Sequence, residues 1–304
     1  MPSGLQTRIA SLQLRNPTIL AAGVLGIAVS SLRRCAEGGA GAVTMKSAGI
    51  QPREGYPNPT LVEADCGTIN AMGLPNPGIK EMISELESSP PLEVPVIASI
   101  YGYSTEDYTQ GAKLASSSRV AAVELNVSCP HVEKVGKEIG QSPELLADIV
   151  AGVKRATTKP VFVKLTPNVT DIVALAKTAQ DSGADALVAI NTVRAMQIEI
   201  NTGRPLLGNK VGGLSGRAIK PIAVRCVYEI SKEVDLPVIG CGGVLEASDA
   251  LEFLMAGASA VQIGTGIMIK GTQIFREICQ GISEYMKTKG IGSVEEIVGL
   301  AHRY

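Results

Sequence analysis

The sequence predicts an α/β fold, a (β/α)8 TIM barrel with a short N-terminal β-hairpin capping the bottom. Eight short runs of apolar and β-branched residues recur along the 304 residues, and stretches of helical period separate them. The runs are nearly continuous in apolar residues, which is typical of parallel strands covered on both faces. Eight such strands alternating with helices are the number that closes a barrel. An open doubly wound sheet is the alternative architecture.

The first residues predict the hairpin. Between residues 4 and 17 the pattern alternates around Leu5, Ile9, Leu12 and Leu14, and Pro17 ends the run. Alternation of period two indicates a strand with one buried face. We expect this hairpin to plug the floor of the barrel, ahead of the first barrel strand.

The barrel strands are predicted from apolar runs that end in polar residues or glycine. In chain order they are Thr18–Gly23, Ala42–Ser47, Val94–Ile100, Val120–Val127, Pro160–Thr166, Ala186–Thr192, Pro237–Gly240 and Ala260–Gly264. Amphipathic stretches predict outer helices at Ile79–Ser88, Ser104–Ser117, Pro143–Thr157, Val169–Ser182, Ile219–Val234, Ala247–Ala256 and Phe275–Lys289, with a short helix near Glu295–Leu300. No linker rich in proline, glycine or serine divides the chain, so residues 1–304 are predicted to form one domain.

Composition excludes several classes of function. A net charge of -1 without a basic cluster argues against nucleic-acid binding. The N-terminus lacks a signal peptide's apolar core, and no apolar run reaches the roughly 18 residues of a membrane span, so we expect a soluble cytoplasmic protein. The six cysteines include no C-x-x-C pair, which argues against disulfides and a zinc site. Most of them are expected to be small core residues.

Polar or glycine residues collect at the predicted carboxyl ends of the strands, where barrel enzymes carry their chemistry. These residues are Gly23, Lys46, Ser47, Ser99, Asn126, Cys129, Lys164, Asn191, Thr192, Gly242, Gly243, Gly264 and Thr265. A single polar strand end is unremarkable, because strand ends border solvent. Their convergence from eight segments predicts one site.

Two glycine-rich segments predict a phosphate site after the last two strands. They are Ile239-Gly-Cys-Gly-Gly243 and Gly264-Thr-Gly266, and a third run, Gly212-Gly-Leu-Ser-Gly216, could reach the same phosphate. Glycine lets backbone N–H groups approach an anion closely, and plain tight turns are the alternative. No Rossmann or Walker motif is present, so a phosphate of FMN type fits better than a dinucleotide or ATP.

The remaining strand-end groups suit a flavin and a planar polar substrate. Lys164 ends an apolar strand, and a lysine there points into the barrel mouth or extends outward to solvent. A cation near a flavin's pyrimidine end stabilises the reduced ring. The segment Asn70–Asn76 is predicted to be a loop that offers amide groups. Cys129 has no histidine-based dyad, which favours general acid/base work over acyl transfer.

Together these motifs resemble the class 1 dihydroorotate dehydrogenases, and within them the class 1B catalytic subunits of archaeal type. The resemblance runs nearly end to end through NPTILAAG, KSAGIQPREGYPNP, NAMGLPNPG, NVSCPH, VKLTPNVTDI, INTV, NKVGGLSGRAIKP, GCGGV and IGTG. It implies a single FMN-binding barrel domain that oxidises dihydroorotate to orotate in pyrimidine biosynthesis. It also implies that Cys129 is the base that removes the C5 proton while a hydride passes from C6 to flavin N5.

The resemblance assigns the remaining site residues as well. Substrate is expected at Lys46, Asn70, Ala71, Met72, Gly73, Leu74, Asn126, Asn191 and Thr192. One FMN per chain is expected at Gly23, Lys46, Ser47, Ser99, Asn126, Lys164, Ile190, Gly216, Gly242, Gly243, Gly264 and Thr265. No metal is expected. A homodimer is implied, flanked by a separate electron-transfer subunit that carries FAD and a [2Fe-2S] centre and links the enzyme to NAD, in a heterotetramer.

Three residues depart from the family's pattern. His131 stands where many relatives have a substrate-binding asparagine, Ser99 replaces an asparagine often found near the flavin, and Gly23 stands where serine is common. The sequence Cys-Pro-His is also seen in dihydropyrimidine dehydrogenases, so a uracil- or thymine-type substrate is the alternative. The sequence is also compatible with a non-redox phosphate-binding barrel or a docking scaffold, and with reoxidation by fumarate or a quinone without a partner.

Overall fold

The computed structural model describes residues 4–128 and 139–304. The strands are β1 (Thr7–Ile9), β2 (Leu12–Leu14), β3 (Thr18–Leu20), β4 (Ala42–Thr44), β5 (Leu61–Ala64), β6 (Gly67–Asn70), β7 (Val96–Ile100), β8 (Ala122–Asn126), β9 (Val161–Leu165), β10 (Ala186–Ala189), β11 (Val193–Ala195), β12 (Ile198–Glu199), β13 (Arg204–Pro205), β14 (Gly212–Ser215), β15 (Val238–Cys241) and β16 (Ala258–Ile263). The α-helices are α1 (Val29–Glu37), α2 (Ile79–Ser88), α3 (Thr105–Ser116), α4 (Pro143–Ala156), α5 (Ile172–Asp181), α6 (Lys220–Ser231), α7 (Ala247–Met255), α8 (Thr265–Lys270) and α9 (Ile274–Lys289).

Eight parallel strands form a closed barrel in the order β10-β15-β16-β3-β4-β7-β8-β9. Each predicted barrel strand is present, and outer helices alternate with the strands along the chain. The predicted barrel is therefore confirmed, and the open sheet is excluded. Most strands are shorter than predicted at their carboxyl ends, because the polar residues there already belong to the loops of the mouth.

Local sequence explains why several helices begin where they do. Ser104 caps α3, with a reciprocal capping box through Asp107. Ser142 caps α4 and is followed by a proline in the first turn, and Asp171 caps α5 through two backbone N–H groups. Helix α1 was not predicted. Its first turn lacks a capping side chain, so the usual start signal is missing.

The N-terminal hairpin closes the bottom of the barrel, as predicted. Strands β1 and β2 pair antiparallel, and Ile9, Leu12 and Leu14 belong to one buried cluster with inward residues of the barrel. Those barrel residues include Ile19, Ala42, Ile97, Ala122, Phe162, Ala186, Val188, Ile239 and Ala260. The bottom layer of the interior is therefore apolar.

A second sheet lies outside the barrel and was not predicted. It has the order β11-β14-β6-β5, so segments more than a hundred residues apart in the chain pair with each other. Asn70, predicted as the first residue of a loop, is the last residue of β6. Such long-range pairing leaves no signature in local periodicity. The sheet carries the residues that follow Asn70 to the barrel mouth.

The described cysteines lie mostly in the core. Cys35, Cys226 and Cys279 are buried, Cys241 is partly buried, and Cys66 is exposed. Most of the described cysteines are therefore buried, as predicted, and Cys66 is the exposed exception. In the described ranges, none of the helices has the length and apolar character needed to cross a membrane.

Candidate active site

Strand alternation turns one set of polar residues into the barrel. Ala122 and Phe162 lie in the apolar bottom layer, so Glu124 and Lys164, two residues further on, face inward one layer higher. By the same alternation, Thr44, Ser99, Cys241 and Gln262 share this layer. Glu124 is fully buried, and Lys164 is 5% exposed. Interior layers of such barrels are usually apolar, so this polar layer points to function.

A hydrogen-bonded bridge crosses the barrel within this layer. Lys164 Nζ donates to Gln262 Oε1 at 2.8 Å, and Gln262 Nε2 donates to Glu124 Oε2 at 2.5 Å. Strands β16 and β8 lie on opposite sides of the closed barrel. The bridge therefore spans the interior directly beneath the mouth, and Lys164 takes the inward position that the sequence allowed.

A row of uncharged polar groups lies above the bridge. Ser47 Oγ and Ser99 Oγ are 2.9 Å apart, and Asn126 Nδ2 donates to Ser47 Oγ at 3.2 Å. Asn191 Nδ2 donates to Asn126 Oδ1 at 3.1 Å. The Thr192 backbone N–H donates to Asn191 Oδ1 at 2.9 Å. The structure thus brings together five predicted site residues from four segments of the chain.

Lys46 is a buried cation at the same mouth. Its residue is 6% exposed, and no hydrogen-bond or ion-pair partner contacts its ammonium among residues 4–128 and 139–304. Burial lowers the pKa of Lys46 below its ordinary value, because desolvation disfavours the charged form. An anion that binds beside Lys46 supplies the compensating charge.

Lys164 has the opposite electrostatic environment. Burial alone lowers the pKa of Lys164, but the hydrogen bond and Coulombic attraction to Cys241, whose thiolate forms only at high pH, together with the attraction to Glu124, outweigh this effect and raise it. Burial in turn raises the pKa of the Cys241 thiol, and the neighbouring Lys164 offsets this only in part. Cys241 therefore keeps its proton near neutral pH, which leaves Glu124 as the anion that compensates Lys164.

The predicted phosphate glycines meet at one place. A Cβ at Gly243 would lie 2.7 Å from the Gly216 carbonyl oxygen, so the two backbones are in close contact. Both glycines have positive φ, 76° and 93°. Thr265 Oγ1 donates to Ser215 Oγ at 2.8 Å beside them. We call Gly216, Gly243 and Thr265 the glycine cup.

The neighbouring glycines line the same end of the barrel. Gly242 has φ 140° and packs against Ala223, and Gly264 precedes α8 and lies near Ala21. A Cβ at Gly23, with φ 118°, would meet no atom within 4 Å. Gly23 therefore borders open space, in contrast to the tightly packed glycine cup.

The second sheet brings the predicted substrate loop to the mouth. Asn70 Nδ2 donates to the Gly213 carbonyl at 3.2 Å, and Thr192 packs against Gly213. The loop backbone is held by its neighbours through Thr60 to Ala71, Tyr56 to Met72, Arg53 to Gly73 and Asn76 to Leu74. This fixes a loop in which Gly73 and Leu74 have left-handed φ angles of 70° and 57°.

The predicted site residues that remain are Ile190, Cys129 and His131. Ile190 is buried, and its backbone N–H donates to the Cys241 carbonyl at 2.8 Å, next to Asn191 in the amide row. Cys129 and His131 lie outside the described residues, so the base assignment stays a prediction. No group of three potential metal ligands occurs within the part of the chain that the structure describes.

Sequence reasoning missed three residues of this site. Glu124 and Gln262 sit within apolar strands, and their inward parity was the signal that could have found them. Asn168 was also missed. It accepts from the Arg194 backbone N–H at 2.9 Å and donates to the Thr192 carbonyl at 3.1 Å, so it anchors the segment that follows Asn191.

Comparison with known proteins gives a consistent result. A family model described as dihydroorotate dehydrogenase matches residues 4–286. Three relatives carry the name dihydroorotate dehydrogenase B (NAD(+)), catalytic subunit. That of Methanothermobacter thermautotrophicus is 52% identical over 301 residues, covering 98% of each chain. That of Methanocaldococcus jannaschii is 48% identical over 302 residues, covering 98% of each chain. That of Pyrococcus furiosus is 50% identical over 301 residues, covering 98% of this chain and 99% of the relative.

Proposed function

The chain belongs to the dihydroorotate dehydrogenase family, and from that premise we propose that it oxidises dihydroorotate to orotate with a bound flavin, in pyrimidine biosynthesis. The observation that carries the proposal is the buried ammonium of Lys46 beside the amide row, which has no partner among the residues that the structure describes. Dihydroorotate is a puckered ring that carries C=O and N–H groups and a carboxylate. Lys46 compensates the carboxylate, and the asparagines pair with the ring's C=O and N–H edges.

The described residues fit FMN as the flavin. The glycine cup allows backbone N–H groups to approach a phosphate. A 3-10 turn, Arg217–Ile219, leads from Gly216 into α6, and Thr265 is the first residue of α8. Gly23 borders open space, and Lys164 is a buried cation that stays charged beneath the mouth. Gly242 and Gly264 flank the same phosphate, while Ser47, Ser99, Asn126 and Ile190 lie nearer the ring in this proposal.

In this proposal, residues of the chain remove the proton, orient the substrate and stabilise the charge that develops. A bound flavin supplies the acceptor for the hydride that leaves C6 of the substrate. Cys129, assigned by the family motif, removes the proton from C5 through its thiolate. Lys46, Asn126, Asn191 and Thr192 orient the ring, and residues 70–74 cover one edge. Lys164 opposes the negative charge that develops on the cofactor side.

A partner subunit follows from the names of the relatives, which are catalytic subunits of NAD(+)-linked enzymes. No cysteine cluster for an iron–sulfur centre occurs in the described residues. We infer that electrons leave the flavin through a separate subunit carrying FAD and a [2Fe-2S] centre, and that two catalytic chains form the core of a heterotetramer. The relatives do not favour a uracil- or thymine-type substrate.

Anaerobic reduction separates these substrates. Purified protein is mixed with dihydroorotate or dihydrouracil without oxygen, and flavin absorbance is followed. We expect bleaching by dihydroorotate alone, because only it carries the carboxylate that Lys46 compensates. Asn126→Ala is expected to weaken substrate binding, whereas the exposed Asn209→Ala is the matched control that leaves it unchanged. Protein that releases no flavin on denaturation, or that is bleached by dihydrouracil, would overturn the proposal.

A further inference from the structure

The polar layer beneath the mouth contains a charged pair that the reaction outlined above leaves unexplained. Glu124 is 0% exposed and Lys164 is 5% exposed, and their charges are separated by one amide. Replacing such buried ions with apolar residues often leaves a protein as stable or more stable. Stability alone therefore does not account for a carboxylate in the barrel interior.

The geometry of Gln262 makes it a directional bridge. Its amide has one acceptor oxygen and one donor nitrogen, and both are used: Oε1 accepts from Lys164, and Nε2 donates to Glu124. The carboxylate therefore sets the orientation of the amide. The amide oxygen, in turn, sets the position of the Lys164 ammonium.

The second oxygen of Glu124 faces the substrate side. Ser99 Oγ lies 3.5 Å from Glu124 Oε1 and 2.9 Å from Ser47 Oγ, which accepts from Asn126. One buried carboxylate is thus connected to the flavin-side lysine and to the substrate-side amides. Ser99 provides this connection.

We propose that Glu124 is a positioning residue for the oxidation: through Gln262 it holds the Lys164 side chain in place, and its charge keeps Lys164 a cation. This rests on the proposed function for the flavin that Lys164 serves. Burial alone would lower the pKa of Lys164; Cys241 and then Glu124 raise it, so the direction agrees with the geometry. The groups facing Lys164 are Cys241 on β15, Glu124 on β8 and the neutral Gln262 on β16, with Lys46 after β4 at the mouth.

The charge of Lys164 can be measured directly, with or without a flavin. Protein labelled with 13C at lysine Cε is titrated by NMR, and Lys164→Met assigns the signal. In the wild type we expect Lys164 to stay protonated past its ordinary value of 10.5. In Glu124→Gln, which keeps the shape but not the charge, we expect its titration midpoint to fall by about one pH unit or more.

Two further variants guard against a mere loss of packing. The exchange Glu124→Gln with Gln262→Glu returns one carboxylate and one amide to the same two positions, and it should restore the high midpoint. Thr44→Val removes a buried hydroxyl from the same layer, and this hydroxyl has no partner among the described residues. The substitution should leave the Lys164 titration midpoint unchanged. A folded exchange variant with a low midpoint, or a Glu124→Gln midpoint equal to that of wild type, would overturn the proposal.

The reduction potential of bound flavin provides the functional measurement. In Glu124→Gln it should fall away from the wild-type value as pH rises through the new Lys164 midpoint, because the neutral amine no longer stabilises the reduced ring. Parallel wild-type and variant curves would contradict this. If the protein binds no flavin, the proposed function fails, whereas the NMR titration still decides the role of Glu124.

Discussion

At the scale of single residues, two buried lysines at the same barrel mouth have opposite environments. Lys164 has a compensating carboxylate one amide away, and its pKa is raised. Lys46 has no described partner, and burial lowers its pKa. The charge of Lys164 is therefore stabilised by a carboxylate of the protein itself, whereas the charge of Lys46 is stabilised when an anion binds. This difference separates the flavin-side cation from the substrate-side cation in the proposed site.

The charge of Lys46, which has no partner in the described part of the chain, predicts a gain in stability on its removal. Without ligands near pH 7.5, we expect Lys46→Met to raise the free energy of unfolding by on the order of 1–3 kcal/mol, because it removes a buried charge that no described residue pairs with. Unfolded lysine keeps its proton up to about 10.5, whereas folded Lys46 loses it earlier, so wild-type stability rises with pH through this window. Denaturant unfolding at several pH values measures the difference in the free energy of unfolding between Lys46→Met and wild type, which should become smaller as the pH rises.

The control for this measurement is Lys80→Met, at an exposed lysine on α2. This substitution should leave the free energy of unfolding nearly unchanged at every pH. Lys46→Met should also abolish dihydroorotate binding. A Lys46→Met protein that is less stable than wild type at neutral pH would show that Lys46 contributes to the fold itself.

The proposed base gives a second prediction. Cys129→Ala should keep its flavin but slow anaerobic flavin reduction by dihydroorotate by about 10²–10⁴-fold, the usual contribution of a general base. Cys129→Ser should retain some activity with its pH optimum shifted upward, since a hydroxyl is a weaker acid than a thiol of pKa about 8.5. Stopped-flow absorbance measures the rates. The exposed Cys66→Ser is the matched control, and an unchanged rate in Cys129→Ala would refute the assignment.

At the scale of elements, loops that follow different strands build the site, and their backbone angles decide how closely they approach. Gly216 follows β14, Gly243 follows β15, and Thr265 begins α8. A Cβ at Gly243 would meet the Gly216 carbonyl oxygen, and a Cβ at Gly216 would meet the Gly67 backbone, so neither position has room for a side chain. The strands place the loops, whereas glycine allows the loops to form a cup.

Gly243→Ala tests the glycine cup. Its Cβ would lie 2.7 Å from the Gly216 oxygen and 2.8 Å from Lys220 Cβ, so the cup must open. We expect FMN affinity to fall about tenfold or more, which corresponds to roughly 1.4 kcal/mol. Gly203→Ala is the control, because its φ of 67° is also positive but its Cβ would meet no atom within 4 Å. Both variants should lose about 1–2 kcal/mol of stability through the left-handed angle, and only Gly243→Ala should lose affinity. Equal FMN affinities in the two variants would refute the proposal that the glycine cup binds the phosphate.

At the scale of the whole molecule, the barrel separates stability at one end from chemistry at the opposite end. Its bottom layer is apolar and closed by Ile9, Leu12 and Leu14 of the hairpin. The next layer is polar and crossed by the bridge from Lys164 to Glu124. A change in the bottom layer should therefore affect folding without affecting the site.

Leu14→Ala tests this separation. Leu14 is 2% exposed, and truncating a buried leucine typically destabilises a protein by about 2–5 kcal/mol. We expect a lower melting temperature, with FMN affinity and dihydroorotate-dependent bleaching unchanged per folded molecule. Leu61→Ala, at a leucine 42% exposed on β5, should change neither property. A Leu14→Ala protein that folds but loses its flavin would show that the two ends are coupled.

Local periodicity was sufficient to identify the barrel, its plug and most of its helices, because burial on a strand or a helix repeats along the chain. The same alternation located the strand-end residues of the mouth. The pairing of β6 with β14, the contact of Gly216 with Gly243, and the bridge from Lys164 through Gln262 to Glu124 depended on the tertiary structure. These contacts join residues that are 27 to 147 positions apart. Local periodicity carries no information about such distant partners, because only the folding of the whole chain brings them into contact.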